Sequence, residues 1–424
     1  MRKSKKIKMI NILIISFIIT TMLSTWYITY GATTSSSIGE NVEATFNSVT
    51  GELIINSTSG VGTIESNTYK NFLGFSNREK VKKVIFSNEV YAPEDMENFF
   101  AIFPNVMSIN LNNLNTSNVT NMKSMFSNCS NLTSLDVSKL DTTNVTNMES
   151  MFSGCSNLES LNIGDLATFN VTNVKYMFQG CTSLTNLNLE FFDTDNVTDM
   201  SFMFQGCTSL TNLNLRGVIT TEVNNMNYMF ADCNSLTNLD LSGFNTSKVT
   251  NMANMFTNCT NLASLDLSGF NTSNVTDMMS MFYECSSLIS VDVSNFNTSN
   301  VDRMVSMFYG CSGLESLDIS SFDMSKSSSN ASKNMLSGCN FNTLITPKRG
   351  NTAELLPYTM YDEEGSLYTQ LPYNSKTLYK KIEYTVQFNE NGGTINSGNI
   401  NKYIYGLGAT LPIDVTKTGY TFDG

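Results

Sequence analysis

A segment of 26 residues recurs along the chain, and each copy carries one cysteine. NTSNVTNMKSMFSNCSNLTSLDVSKLD, residues 115–141, returns as NTSNVTDMMSMFYECSSLISVDVSNFN at residues 271–297. Seven successive gaps between cysteines are 26 residues and the last is 28. A fixed period of this size predicts stacked repeats, because one repeat cannot bury its apolar face alone. The cysteines are Cys129, Cys155, Cys181, Cys207, Cys233, Cys259, Cys285, Cys311 and Cys339.

The pattern C-x-x-L-x-x-L-x-L after each cysteine predicts a short strand. Leu239 and Leu241 alternate with Asn238, Asp240 and Ser242, and such alternation is typical of a strand with one buried face. An L-x-x-L-x-L motif with a period of 20–29 residues is the signature of leucine-rich repeats.

The second half of each repeat predicts one short helix. Val249, Met252, Met255 and Phe256 are spaced as one apolar helical stripe. The residue before the valine is often an asparagine, which suits a helix N-terminus; these are Asn118, Asn144, Asn170, Asn196, Asn274 and Asn300. The residue before the cysteine is often a glycine, which suits a left-handed C-terminal cap; these are Gly154, Gly180, Gly206, Gly310 and Gly338.

The array extends beyond the cysteines. Phe103 stands in the cysteine position of an earlier repeat, and Val81, Val84 and Phe86 fit a shorter one before it. Ahead of these, ATFNSVTGELIIN predicts a β-hairpin that caps the end of the array. DMSKSSSNASKNMLSGC carries a two-residue insertion and marks the last, irregular repeat.

The N-terminus predicts a secretory signal. Five cations precede the apolar run MINILIISFIITTMLSTWYITY, and small residues follow at Gly31 and Ala32. Cleavage there leaves 20 cations against 37 acids, a charge of −17 instead of −12. Such an acidic chain repels nucleic acid and anionic lipid and favours cationic partners. The alternative is an uncleaved anchor, since the apolar run is long.

The absence of histidine removes Ser-His-Asp and Cys-His nucleophile systems and every metal site that needs imidazole. The cysteines allow two interpretations: a disulfide or metal array, or one small buried apolar residue per repeat. Equivalent side chains in stacked strands run parallel, nine is an odd number, and no C-x-x-C spacing occurs. These observations favour buried free thiols.

The repeats resemble the BspA-type leucine-rich-repeat surface proteins of bacteria. The motif that carries this resemblance is CTNLASLDLSGFNTSNVTDMMSMF, residues 259–282, with its copies over residues 44–346. Phenylalanine (for example Phe244 and Phe270) replaces the usual Asn or Cys after the strand. The resemblance implies a secreted or cell-surface protein that adheres to host proteins or to other bacteria, and that does not insert in the membrane after signal cleavage.

Residues 384–424 resemble a Listeria–Bacteroides repeat of the internalin B-repeat type, which implies a small β-grasp-like module. The matching pairs are Gly392-Gly393, Tyr405-Gly406, Leu411-Pro412 and Gly419-Tyr420. The pattern of that family continues to a tryptophan beyond Gly424, so we expect the module to be incomplete here.

The predicted fold is therefore a solenoid of short parallel strands and short helices followed by an incomplete β-rich module. The expected domains are a signal peptide (1–32), an N-terminal β cap with a first irregular repeat (33–98), a leucine-rich-repeat solenoid (99–346), a cap and linker (347–383) and the partial Listeria–Bacteroides repeat (384–424).

One outward-facing strand position, which we call the Asx column, is the candidate binding site. It consists of Asn110, Asp136, Asn162, Asn188, Asn214, Asp240, Asp266, Asp292 and Asp318. Four successive aspartates at strand spacing should raise some of their pKa values or recruit cations. The functional interpretation is a strip over Asp240–Asp318 that binds Ca²⁺ or a basic protein; the alternative is a solvated polar face kept by repeat duplication.

Three classes of function remain from the sequence. We expect an adhesion or protein-interaction module without a cofactor, and the alternative is a structural spacer that displays other modules. A carboxylate enzyme is disfavoured, because its acids would have to meet in a cleft instead of recurring on an open surface.

Overall fold

The computed structural model describes residues 33–380 except 67, 165, 327–331 and 351–353, together with Ile15 and four short strands beyond residue 380. The predicted signal peptide and most of the predicted C-terminal module lie outside the described residues. The chain divides into two compact units, Met1–Ile219 and Thr220–Gly424. Each unit is described by itself.

Unit 1 begins with a cap of antiparallel strands. The cap comprises β1 (Thr33–Glu40), β2 (Val42–Asn47), β3 (Glu52–Ser57), β4 (Gly62–Ile64) and the short helices α1 (Thr68–Phe72) and α2 (Phe75–Arg78). β2 and β3 pair antiparallel from Val42 opposite Ser57 to Asn47 opposite Glu52, which confirms the predicted hairpin. Buried residues alternate along β2, so one face of the hairpin covers the core.

Parallel strands continue from both edges of this cap. They are β5 (Lys83–Phe86), β6 (Val90–Tyr91), β7 (Ser108–Asn110), β8 (Leu114–Asn115), β9 (Ser134–Asp136), β10 (Ser160–Asn162), β11 (Asn186–Asn188) and β12 (Asn212–Asn214). The order of the first sheet is β7-β5-β3-β2-β1-β4-β6-β8. The antiparallel meander therefore starts two rows of parallel strands, one on each side of the core.

Unit 2 repeats the same plan and ends in a second cap. Its repeats contribute β13 (Ser264–Leu265), β14 (Ser290–Val291), β15 (Ser316–Asp318), β16 (Asp323–Met324) and β17 (Thr343–Ile345). The cap adds β18 (Arg349–Gly350), β19 (Leu355–Tyr361), β20 (Leu367–Gln370) and β21 (Thr377–Lys380). β21 pairs antiparallel with β17, which confirms strands in the predicted cap and linker.

Four further strands lie in the region predicted as the β-rich module. They are β22 (Glu383–Thr385), β23 (Thr394–Ser397), β24 (Lys402–Ile404) and β25 (Asp414–Thr416). β22 pairs antiparallel with β24, and β23 pairs antiparallel with β25.

The predicted helix in each repeat is wrong, although the solenoid itself is confirmed. In the repeat of Cys129, the N–H groups of Met122, Ser124, Phe126 and Asn128 donate to carbonyls of the next repeat at 2.7–2.9 Å. Those amides are therefore not available for the i→i−4 bonds of an α-helix. Ser124 and Asn128 have φ values of 53° and 58°, a left-handed conformation that interrupts a helix.

The residues that were predicted to begin and to end this helix have other roles. Asn144 Nδ2 donates to the carbonyl of Ser117 in the preceding repeat at 2.8 Å, and Asn274 does the same to Ser247 at 2.7 Å. The glycines before the cysteines do adopt the predicted left-handed conformation, for example Gly154 at φ 74°. They shape a tight turn between repeats instead of a helix cap.

The core consists of identical side chains stacked between repeats. Phenylalanine rings stack almost parallel with centroids 5.0–5.6 Å apart from Phe100 to Phe204 in unit 1, and 5.3–5.8 Å apart from Phe230 to Phe308 in unit 2. The methionines and valines predicted as core are buried as well. Each repeat thus completes its core only against its neighbours.

Candidate functional site

The Asx column lies on the exposed face of the strands. In unit 1, Asp136 is in register with Asn162, and Asn188 is in register with Asn214. Their neighbours Leu135 and Leu187 are buried, whereas most members of the column are exposed. In unit 2, β13 and β14 also pair in register, and Asp266 and Asp292 directly follow them.

Each side chain of the Asx column closes a tight turn at the end of its own strand. Asp136 Oδ1 accepts the N–H of Ser138 at 3.0 Å, and Asn162 Oδ1 accepts the N–H of Gly164 at 3.2 Å. The same bond recurs at Asn188, Asn214, Asp240, Asp266, Asp292 and Asp318 at 2.8–3.2 Å. This is an Asx-turn, which asparagine and aspartate form equally well, so both residues occur in the column.

The pKa values of Asp266 and Asp292 contradict the expectation from like charges. Hydrogen bonds from the backbone and side chain of Ser268 hold the pKa of Asp266 below its usual value. Hydrogen bonds from Ser294 lower the pKa of Asp292 in the same way. The neighbouring carboxylate acts in the opposite direction in both cases but is the weaker effect. Asp266 and Asp292 therefore stay charged at neutral pH, because bonds from N–H and O–H groups stabilise their carboxylates.

The two units differ in the charge of the column. In unit 1 the amides donate to the preceding member of the column: Asn162 Nδ2 donates to the carboxylate of Asp136 at 3.1 Å, and Asn214 Nδ2 donates to the amide oxygen of Asn188 at 2.8 Å. Unit 2 presents four aspartates in successive repeats, Asp240, Asp266, Asp292 and Asp318. Within the described residues, no group of three or more Cys, Asp or Glu side chains could hold a metal ion.

The cysteines are free and buried, which confirms the structural interpretation. In most repeats the thiol donates to the carbonyl of the phenylalanine in the preceding repeat, for example Cys155 to Phe126 at 3.1 Å and Cys311 to Phe282 at 3.0 Å. Burial raises the pKa of Cys207 and Cys285 to about 12. The thiols are therefore protonated core groups.

A column of buried threonines was not singled out from the sequence. In unit 2, Thr246 Oγ1 donates to the carbonyl of Asn271 at 3.0 Å and accepts the N–H of Asn271 at 2.8 Å. One hydroxyl thus satisfies two backbone groups of the next repeat. The threonine column comprises Thr116, Thr142, Thr168, Thr194, Thr220, Thr246, Thr272 and Thr298, each at most 1% exposed. The signal was available, because threonine occupies this position in eight successive repeats.

None of the helices in the described part of the chain has the length and apolar character needed to span a bilayer.

Comparisons with known proteins give two family matches. Residues 94–216, 184–265 and 258–348 match the family described as "Mycoplasma protein of unknown function, DUF285", which together cover more than half of the chain. Residues 384–424 match the Listeria–Bacteroides repeat domain. Repeats of these kinds are found in surface proteins, and such repeat families are typically non-enzymatic. A search of curated proteins finds no match.

Solved structures that match part of the chain include a leucine-rich-repeat protein from Eubacterium ventriosum, with 15% identity over 64% of this chain and 92% of that chain, at a TM-score of 0.29. The TLR13–ssRNA13 complex matches with 16% identity over 69% and 46% of the two chains, at a TM-score of 0.22. The Toll–Spatzle complex of Drosophila matches with 13% identity over 75% and 52%, at a TM-score of 0.19.

The family assignment rests on the family models and on the repeat geometry described above. The chain belongs to the DUF285 family of BspA-type leucine-rich-repeat surface proteins and carries a C-terminal Listeria–Bacteroides repeat.

Proposed function

We propose that the chain is a secreted or cell-surface adhesion module that binds a protein partner on the exposed strand face. The observation that carries this proposal is the Asx column of unit 2. Asparagine closes the same turn in unit 1 at Asn162, Asn188 and Asn214, so folding does not require a charge at this position. Four successive aspartates therefore give the surface a negative charge that the turn itself does not need.

The chemistry of this face favours a cationic protein over other ligands. The chain carries a net charge of −12 and has no histidine, so a phosphate backbone would be repelled. The carboxylates recur on an open strand face, whereas acid–base catalysis needs two of them at a bond that is cut. A long polar surface of this kind fits the partners that the resemblance to BspA-type surface proteins implies, namely proteins of host matrix, host cells or other bacteria.

Secretion is part of the same proposal. The basic start and apolar run of residues 1–32 support a cleaved signal, although all of these residues except Ile15 lie outside the described part of the chain. N-terminal sequencing of protein recovered from the medium or cell wall tests this: a start near Ala32 or Thr33 supports cleavage, and a start at Met1 contradicts it.

The binding experiment compares two double variants with the same change in charge. D266N/D292N neutralises two members of the Asx column and keeps the turn-closing oxygen. D302N/E364Q is the matched control, because both acids are exposed in unit 2 and lie outside the column. The probes are immobilised matrix proteins, host-cell surfaces and bacterial cells, each at low and at raised salt.

We expect D266N/D292N to weaken saturable binding and to reduce its salt dependence, whereas D302N/E364Q should bind like the wild type. Equal binding by all three proteins would remove the Asx column from the proposal. The same three proteins, titrated with Ca²⁺, test calcium-assisted binding: equal or absent calcium affinity in all three would reject it.

The alternative is a structural spacer that displays other modules. A folded, monomeric chain that binds none of the probes would support the spacer and overturn the adhesion proposal.

A further inference from the structure

One edge of unit 1 exposes three large apolar side chains from consecutive repeats. Phe191 is 64% exposed, Phe169 is 47% exposed and Ile219 is 38% exposed. We call these three residues the aromatic edge. Exposed apolar clusters on a soluble surface mark places where another molecule binds.

Hydrogen bonds from side chains to the backbone join the segments that carry these three residues. Asn196 Nδ2 donates to the carbonyl of Phe169 at 2.7 Å. Thr194 Oγ1 donates to the carbonyl of Ile219 at 2.6 Å and accepts the N–H of Ile219 at 2.7 Å. The segment 191–196 therefore has Phe169 on one side and Ile219 on the other.

The fold does not require aromatic residues at these positions. The position of Phe169 holds serine in other repeats, as at Ser117 and Ser247, and the position of Phe191 holds glycine at Gly243 and Gly269. Small residues at the same positions form the same turns. The two phenylalanines are therefore local additions to the repeat.

The acids beside the aromatic edge give it a negative rim. Glu190 and Asp195 are exposed, and Asp193 is half-buried. Arg216, which stands at the position of Glu190 in the next repeat, is one exposed cation beside these three acids. The local charge therefore complements a basic ligand.

A polar cleft of about 350 Å³ lies on the same edge, toward the N-terminal cap. Its lining includes Glu89, Asn115, Lys139 and Asp141. Lys139 and Asp141 stand two repeat periods before Phe191 and Asp193, so the cleft and the aromatic edge occupy the same corner of successive repeats. Asn115 Nδ2 donates to Glu89 Oε1 at 3.0 Å, which holds that carboxylate at the cleft.

The threonine column is interrupted at this corner. The hydroxyls of Thr142 and Thr168 have no hydrogen-bond partner, and each residue is only 1% exposed to solvent. The other members of the column in the described residues bond to the next repeat, as Thr116 does to the carbonyl of Asp141 at 2.9 Å. Thr142 and Thr168, which lie between the cleft and the aromatic edge, therefore make no side-chain hydrogen bond to the next repeat.

We propose that this edge binds an extended segment of a partner protein that carries basic and apolar side chains. The apolar side chains pack on Phe169, Phe191 and Ile219. The basic side chains reach Asp195 and Glu190 beside them and Glu89 and Asp141 at the cleft. From the repeat of Glu89 to that of Ile219 there are five strand spacings of ~4.8 Å, about 24 Å, or about seven extended residues.

This surface uses none of the side chains of the Asx column, although it borders the column at Glu190, whose N–H bonds to Asn188 Oδ1 at 3.1 Å. The inference goes beyond the proposed function, which rests on the aspartates of unit 2. The probe is an eight-residue peptide of alternating lysine and leucine, and its analogues replace lysine by glutamate or leucine by serine. Fluorescence anisotropy measures the Kd of each peptide for the full chain.

The test variant is F169S/F191G, which installs the residues that other repeats carry at these positions. A second variant, D195S, does the same at an acid of the rim and leaves the aromatic residues in place. The matched control is M107T: Met107 is 58% exposed on unit 1, and Thr133 stands at its position in the next repeat. D266N/D292N tests whether the peptide binds to the Asx column instead.

We expect F169S/F191G to raise the Kd of the lysine–leucine peptide at least tenfold and D195S to raise it severalfold, while M107T and D266N/D292N change it less than twofold. The glutamate and serine analogues should bind at least tenfold more weakly. An unchanged Kd in both F169S/F191G and D195S overturns the inference. A loss confined to D266N/D292N also overturns it and moves the peptide to the strand face, where the proposed function stands.

Discussion

The threonine column gives the most specific prediction of the structure. Thr194 and Thr168 occupy the same position in successive repeats of unit 1, and both are 1% exposed. Thr194 Oγ1 bonds to both backbone groups of Ile219, whereas Thr168 Oγ1 has no partner. Substitution by valine keeps the shape of the side chain and removes only the hydroxyl. The two variants T194V and T168V should therefore behave in opposite ways.

The expected magnitudes follow from the groups left unsatisfied. T194V leaves the N–H and C=O of Ile219 without a partner, and each such group costs about 1–3 kcal/mol when buried. Ile219 is 38% exposed, so water reaches part of this site and we expect a loss near the low end, about 2 kcal/mol. T168V removes a buried, unpaired hydroxyl, so we expect a change between zero and about 1 kcal/mol of added stability.

Urea unfolding of the full chain measures both effects. T194V should lower the midpoint without a change in slope, and T168V should leave the midpoint equal or higher. Amide hydrogen exchange adds a local readout, because the N–H of Ile219 should lose protection in T194V and keep it in T168V. Equal midpoints for the two variants, or unchanged protection of Ile219 in T194V, would refute the inter-repeat role of the threonine hydroxyl.

Three further predictions concern the core and the C-terminal cap. Burial raises the pKa of Glu354 to about 7. The folded state therefore holds the proton more tightly than the unfolded state, and stability should fall as pH rises from about 4.5 to about 7. In urea titrations, E354Q should flatten this pH dependence of stability. Burial raises the pKa of Cys155 and Cys339 to about 12, so stability should fall as pH rises above about 9. Ellman's reagent should label the thiols only after unfolding. Rapid labelling of the native chain would contradict the buried-thiol assignment. F256A removes a ring that stacks on both Phe230 and Phe282 and should cost about 3–5 kcal/mol, whereas a loss under 1 kcal/mol in thermal unfolding would show that the stack does not hold the repeats together.

Sequence reasoning predicted the repeats and the strands because both follow from apolar spacing. Leu135 and Val137 alternate with exposed polar residues, as the pattern required. The same reasoning failed for Met122, Met125 and Phe126, since their spacing fits a helical stripe equally well. What distinguishes the two structures is the acceptor of each backbone N–H group, and here these groups donate to carbonyls of the next repeat. Asn128 stands at the position that glycine occupies in other repeats, such as Gly154, and this indicates a left-handed residue there. No residue type marks the left-handed position of Ser124, whose equivalents include Tyr176 and Phe202.

The sequence predicted that the Asx column is exposed, but it did not predict the hydrogen bonds of its side chains. The Asx column lies on the exposed strand face as expected, yet its Asx-turns were missed, although aspartate or asparagine two residues before a serine is typical of that turn. The bonds from Ser268 and Ser294 explain why pKa values fall where repulsion predicted a rise. The aromatic edge could not be predicted from the repeat pattern, because Phe169 and Phe191 depart from the residues that other repeats carry at these positions.

Repeat deletion with a binding readout tests the adhesion function most directly. Removal of residues 246–271, one full period of unit 2, keeps the register of the remaining repeats and removes one aspartate of the Asx column; removal of residues 246–297 removes two. If the chain is an adhesion module, the wild type binds at least one matrix protein, host-cell surface or bacterium saturably, and binding weakens step by step with the two deletions. A folded, monomeric wild type with no saturable binding, or deletions that bind as tightly as the wild type, would contradict it.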